Sequence, residues 1–210
     1  MSDTNEKIDL RGLTCPEPVI RTKKTLDKAD VTSVVALVDD DVCVNNLQRL
    51  ANSLKAGFAV KDENGYFQIT INKDGKTSNT NQSPEPGADK ASKNGSSNEV
   101  GTVVFLTKDT LGEGDADFSR TLVNLFLQTA FDSGQRPRAI LMANTGVKLM
   151  AKDSQALKVL NDFKAEGVEV LACGLCLDYY KIKEQVAVEQ ITNMFAICEY
   201  LFAADRVLTP

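Results

Sequence analysis

The chain has 210 residues, 24 of them basic and 29 acidic, for a net charge of -5. A hydrophobic share of 42% and a charged share of 25% are ordinary for a globular protein, which excludes disorder throughout and a fibrous repeat. The acidic balance argues against a nucleic-acid surface, no apolar run reaches the roughly 18 residues a membrane helix needs, and the polar start Met1 to Lys7 is no secretory signal; the expectation is a cytosolic protein with no nucleic-acid or membrane partner.

Read in chain order, Ile8 to Leu10 is a short strand, followed by the turn Leu13-Thr14-Cys15-Pro16. A helix over Glu17 to Leu26 follows, with Val19, Ile20 and Leu26 inward. Val31 to Val38 is a strand rich in β-branched residues. After Asp39-Asp40-Asp41, the spacing of Val44, Leu47, Leu50, Ala51 and Leu54 predicts a helix to Lys55, with Gly57 as its cap. Phe58 to Lys61 and Tyr66 to Asn72 form a hairpin closed by Asn64-Gly65. The order is βαβαββ, a two-layer sandwich with both helices on one face of one sheet.

Gly75 to Glu99 contains no Val, Ile, Leu, Met, Phe, Tyr or Cys. Such a stretch cannot bury enough apolar surface to offset its ordering entropy. It reads as a flexible linker over 75–99 between domains at 1–74 and 100–210, with a root-mean-square span of about 25–30 Å.

Beyond it strand and helix alternate, which predicts an open, mainly parallel α/β sheet. Strands are expected at Thr102 to Thr107, Ala139 to Ala143, Val168 to Ala172 and near Val207. Helices are expected over Asp117 to Ser133, from a cap at Asp153 to Glu166, and over Val188 to Ala203, the first two closed by Gly134 and Gly167. In such sheets ligands bind beyond the carboxyl ends of the strands. Three polar loops collect there: one with Gly112-Glu113-Gly114-Asp115, one with Asn144-Thr145-Gly146, and Cys173-Gly174-Leu175-Cys176.

The chemistry must do without histidine, which is absent. That removes Ser-His-Asp and Cys-His arrangements and leaves cysteine, carboxylates, lysine, arginine and backbone groups. Five cysteines, an odd number in a reducing compartment, do not suggest a disulfide framework. Cys15 precedes Pro16, which suits the first helical position, so its sulfur falls at a helix N-terminus. Free amides and the helix dipole there favour an anion and lower a thiol pKa from about 8.5. The competing reading is a small residue that merely starts the helix.

Cys173 and Cys176 suit attack by one thiolate and resolution by the second thiol, or a structural pair. A zinc site needs about four ligands, and no histidine or second cysteine pair supplies them, so no metal or other cofactor is expected. Cys43 and Cys198 fall among apolar neighbours and read as core thiols. Asn144 and Gly146 stand where backbone amides meet an anion or a sulfur substrate. Lys148 and Lys181 are candidate attractors for the same group, and Tyr179 and Tyr180 candidate walls. The Asp39 to Asp41 run reads as a solvated loop and helix cap rather than a cation site, and Gly112 to Asp115 lacks the Gly-Lys-Ser/Thr ending of a P-loop.

The run Leu10-Arg11-Gly12-Leu13-Thr14-Cys15-Pro16-Glu17-Pro18-Val19 closely resembles the CPxP signature of the TusA/SirA family of small sulfur carriers, over about residues 6–73. The resemblance implies that Cys15 carries sulfur as a persulfide and passes it to a partner, with Arg11 and Glu17 as motif residues. The second domain resembles, more loosely, the DsrE-like sulfurtransferase family. Its anchors are Leu111 to Asp115, Asn144 to Leu149 and Cys173 to Tyr180. The two in this order resemble the YedF-type "sulfurtransferase-like selenium metabolism" proteins.

What the resemblance implies is a sulfur relay: a persulfide on Cys15 exchanged with Cys173/Cys176 or a partner. Donor proteins, a cysteine desulfurase among them, and acceptor proteins are the implied partners, and a homo-oligomer is the implied state. Two other readings remain open: a binding or regulatory module with passive cysteines, and a dithiol redox protein using Cys173 and Cys176.

Overall fold

A computed structural model describes residues 4–14, 16–63, 65–74 and 101–210. They fall into two compact units, within Met1–Lys93 and Asn94–Pro210. Cys15, Asn64 and the linker expected at 75–99 lie outside the described residues.

The first unit runs β1 (Thr4–Asp9), α1 (Glu17–Leu26), β2 (Val31–Val38), α2 (Asp41–Ser53), β3 (Gly57–Glu63) and β4 (Tyr66–Asn72), the expected βαβαββ order. Its sheet order is β1-β2-β4-β3, with β1 parallel to β2 and the other pairs antiparallel. Helices α1 and α2 pack on each other and against the sheet. They bury Val19, Leu26, Leu47, Leu50 and Ala51 against Val34, Ala36, Val38, Ile69 and Ile71. The hairpin turns with Gly65 at φ 105, where a side chain would be strained, and Glu63 faces Tyr66.

Two local expectations fail. Helix α2 starts at Asp41 because the Asp40 carboxylate accepts the Cys43 N–H at 2.7 Å, a side-chain cap that brings in the residues before Val44. The helix ends at Leu54, which is exposed rather than inward, and Lys55 takes the left-handed conformation (φ 53). Gly57 instead opens β3, pairing with Asn72, so it is no cap.

The second unit contains β5 (Thr102–Leu106), α3 (Ala116–Asp132), β6 (Ala139–Met142), a 3-10 segment (Asn144–Met150), α4 (Leu157–Ala165), β7 (Glu169–Cys173) and α5 (Gly174–Tyr179). β8 (Ile191–Thr192), α6 (Met194–Ala203) and β9 (Arg206–Leu208) complete it. Its sheet order is β8-β7-β6-β5-β9 and every pair is parallel. Its central strands β6 and β7 are buried on both faces, apart from Glu169 at the start of β7, while the edge strand β9 is exposed. Val103, Leu141, Leu171 and Cys173 pack with Ile197 of α6, while Phe131 of α3 meets Phe163 of α4 edge-on at 5.1 Å.

Here too the structure corrects the sequence reading. Asp153 caps nothing; α4 begins four residues later, with Ala156 at its N-cap and the Ala156 N–H held by Ser154 Oγ. The helix expected over Val188 to Ala203 is broken, because Ile191 and Thr192 pair with Ala172 and Cys173. The helix proper restarts behind Asn193, whose carboxamide accepts the Ala196 N–H at 3.0 Å. Cys198 on α6 is exposed, so it is not a core thiol, whereas Cys43 is buried. Among the described residues no helix is long and apolar enough to cross a membrane.

Candidate functional site

The first unit builds its motif loop on the end of β1. Leu10 is buried, and its N–H donates to the Leu37 carbonyl at 2.9 Å. Gly12 turns with φ 71, and its N–H donates to the Asp39 carboxylate at 2.7 Å, so the aspartate run supports the motif as well as capping α2. Arg11 is held by the Asp9 carboxylate at 2.6 Å and lies 5.2 Å from the centre of the Tyr66 ring. Its hydrogen bonds keep the Asp9 pKa down at about 2. Glu17 pairs with Arg21 one helical turn on, at 2.7 Å.

The Cys15 side chain lies outside the described residues, but its helix start is described and alters one premise. Pro16 and Pro18 have no N–H, Glu17 donates to the Thr14 carbonyl at 3.0 Å, and Val19 donates to the Pro16 carbonyl at 3.1 Å. The first turn of α1 is therefore closed on itself. Among the described residues of that turn, the N–H groups of Glu17, Val19 and Ile20 are thus engaged, and the helix dipole still favours an anion there.

The second unit assembles its cysteine site from two adjacent strand ends. Met142 faces Ala172 in the sheet, so the segment leaving β6 and the segment leaving β7 emerge side by side. Asn144 takes the left-handed conformation (φ 49), which asparagine tolerates better than most residues. This aims its N–H at Cys176 Sγ, 3.1 Å away. The Asn144 side chain is fixed in turn by the Tyr180 hydroxyl, which donates to its Oδ1 at 2.9 Å. Lys148 Nζ sits 4.7 Å from the centre of the Tyr180 ring. Tyr179 stacks edge-on against Tyr180 and is otherwise exposed.

The two cysteines are not equivalent. Cys173 is 2% exposed, and burial first, then the neighbouring Cys176 side chain, push its pKa up to about 11 against an opposing backbone hydrogen bond. It is a neutral thiol at physiological pH. Cys176 is half-buried against the same apolar cluster, and the Asn144 N–H donates to its sulfur.

Gly146 plays a different part from the one expected. Its N–H is engaged by the Ala143 carbonyl at 3.0 Å, and a Cβ there would lie 2.2 Å from the Leu106 carbonyl oxygen. It matters because it has no side chain, letting the loop after β6 lie on the end of β5. The Asp109 N–H donates to Thr145 Oγ1 at 3.3 Å and ties the third loop in. Sequence reasoning named Asn144 and Tyr180 but not the bond between them, and it did not single out Asp109. Lys181 takes φ 57 and is exposed. Among the described residues no group of cysteines and carboxylates could hold a metal.

Comparison with known proteins matches residues 6–73 to the family described as "Sulfurtransferase TusA". The crystal structure of a SirA-like protein from Desulfitobacterium hafniense is similar at 36% identity, covering 32% of this chain and 95% of that one, with a TM-score of 0.30. The ychN protein from E. coli is similar at 16% identity over 52% of this chain and 98% of that one, with a TM-score of 0.39. A conserved protein of unknown function from Bacteroides thetaiotaomicron has the same identity and TM-score and covers 52% and 94%. Comparison with curated proteins gives no match.

Proposed function

Its residues 6–73 make the first domain a member of the TusA sulfurtransferase family, and from that premise we propose that the chain relays sulfur between its two domains. Cys15 takes up sulfur as a persulfide from a donor protein of the cysteine-desulfurase kind. Cys176 receives it, and the 75–99 segment serves as the tether that raises the effective concentration of one thiol near the other, to the millimolar range for a suitable length. The Cys176 thiolate attacks the outer sulfur of the Cys15 persulfide. One S–S bond forms at Cys176, the one at Cys15 breaks, and the Cys15 sulfur leaves with the electron pair and takes the proton. No oxidant or reductant is consumed.

One observation carries the transfer step: Cys176 is the less buried of the two cysteines and its Sγ receives the Asn144 N–H at 3.1 Å, while Cys173 is buried and held protonated. Attack is therefore assigned to Cys176, with Cys173 as its buried thiol neighbour. Arg11 and Glu17 shape the loop around Cys15 through their pairs with Asp9 and Arg21.

The test is mass spectrometry of the full chain after incubation with a cysteine desulfurase and cysteine, on single Cys→Ser variants. The expected result is one added sulfur on Cys15, then on Cys176, with Cys176→Ser trapping it on Cys15. No adduct at either residue overturns the proposal. A reversible Cys173–Cys176 disulfide forming instead supports a dithiol redox protein. The same experiment with selenocysteine in place of cysteine asks whether the relay handles selenium. The cytosol as its compartment and a homo-oligomer as its state belong to the same reading; cell fractionation and sedimentation check them.

A further inference from the structure

We infer that the second domain ends the relay with a reductive release: Cys173 attacks the sulfur-loaded Cys176 and expels the outer sulfur as sulfide, leaving a Cys173–Cys176 disulfide. The inference rests on Cys176 being the sulfur-accepting residue, and it gives the buried cysteine a task that transfer alone does not.

The two side chains are placed for that step. Cys173 is the last residue of β7, and Cys176 lies in the first turn of α5. Cys176 packs against the buried cluster of Val103, Leu141, Leu171 and Ile197 to which Cys173 belongs. Its side chain acts on the Cys173 thiol directly, by hydrogen bond and by charge. Side chains three residues apart on a helix stand about 5–6 Å apart at Cβ. Closing that to the roughly 3.5–4.5 Å of a disulfide asks for a small shift of the first turn.

Burial divides the work between them. Cys173 is set too deep to meet a donor protein, and burial keeps it a thiol at physiological pH. It therefore does not compete with Cys176 for incoming sulfur. What it holds, beside the loaded residue, is an electron pair and a proton. The cluster around it is close-packed, so the atom added on loading extends toward the open side of Cys176, and the sulfur that Cys173 faces is the inner one.

The step balances without an oxidant. A bond forms between the Cys173 and Cys176 sulfurs, and the bond from Cys176 to the outer sulfur breaks. The outer sulfur departs with the electron pair of that bond, takes the Cys173 proton and leaves as sulfide. It is reduced by two electrons, and the two cysteines are oxidised to the disulfide. A dithiol reductant returns them to thiols before the next turnover.

The experiment loads full-length Cys15→Ser protein anaerobically with cysteine persulfide and removes the small molecules. Released sulfide is then assayed, and Cys173 and Cys176 are followed by peptide mass spectrometry. The expected result is one sulfide released per disulfide formed. The Cys176 persulfide should disappear at least tenfold faster than in Cys15→Ser proteins that also carry Cys173→Ala or Cys173→Ser, where the sulfur stays on Cys176. An equal persulfide lifetime with and without Cys173 overturns the inference and leaves Cys173 a thiol that only fills the core. Added sulfur found on Cys173 overturns it as well. A disulfide that forms as fast in unloaded protein overturns it in favour of a plain dithiol redox pair. If Cys176 loads in none of the three proteins, the acceptor role itself falls, and this inference with it.

Discussion

The two domains start a helix beside a cysteine in opposite ways. In the first, the residues around Cys15 form one contiguous string, and the helix start satisfies its own amides through Thr14 and Pro16. In the second, the sulfur of Cys176 is served by an amide from another strand end, 32 residues away in the chain. A string of that kind travels as a unit and is recognisable by itself. The assembled site depends on the sheet holding two loops in register, so its chemistry is sensitive to packing at places that never touch sulfur.

Gly146→Ala should break the second site most severely. The new Cβ would stand 2.2 Å from a backbone carbonyl oxygen, which cannot swing aside as a side chain could. Overpacking of this kind costs about 3 kcal/mol. Urea unfolding of the second domain should show the loss, together with slower alkylation of Cys176, while the first domain's transition stays in place. An unchanged unfolding midpoint would mean that the loop does not lie against Leu106.

The cysteine pair gives the next effect. Because the folded-state pKa of Cys173 is raised to about 11, the folded protein holds a proton that the unfolded chain gives up earlier. Stability is therefore full below about pH 9 and falls as pH rises from there through about 11. Cys173→Ala should remove that slope between pH 9 and 11, whereas Cys176→Ala should only weaken it, because burial is the larger cause.

How much of this could be read from the chain follows from the same contrast. Helix α1 and strands β2 and β4 were predicted to the residue, because periodicity and turn chemistry are written locally. The helix expected from Val188 was not a helix until Met194, since the pairing of Thr192 with Cys173 is a tertiary event that overrides an apolar run. Cys198 looked like a core residue because its neighbours are apolar, but on α6 it takes the outward face. At the site, Asn144 was legible as a loop residue near the strand ends. That its amide, rather than that of Gly146, meets the sulfur depends on a left-handed φ that the sequence does not announce.

A smaller effect tests how Asn144 is held. Tyr180→Phe removes only the hydroxyl that donates to Asn144 Oδ1, a bond worth about 1 kcal/mol. Alkylation of Cys176 by iodoacetamide at neutral pH should slow about threefold, within the effect of losing about one hydrogen bond's worth of orientation. Asn144→Gly keeps the amide and the left-handed backbone but loses the same bond, so it should match Tyr180→Phe. If Asn144→Gly reacts at the wild-type rate, the side chain is not what positions the amide.

The first domain supplies the mildest test, and it improves the protein. Lys55 holds φ 53 at the end of α2 with an ordinary side chain, a conformation that costs L-residues roughly 1–2 kcal/mol and glycine little. Among the described residues the lysine side chain has no hydrogen bond or ion pair to lose, and its N–H, which donates to the Asn52 carbonyl at 3.0 Å, is kept by glycine. Part of the gain is offset because glycine also loosens the unfolded chain. Lys55→Gly should therefore stabilise the first domain by about 0.5–1 kcal/mol, read as a raised urea midpoint, and leave the second domain untouched. A lowered midpoint would show that the left-handed turn at Lys55 is not where α2 releases the chain, and the cap would have to be sought nearer Gly57, where sequence alone had put it.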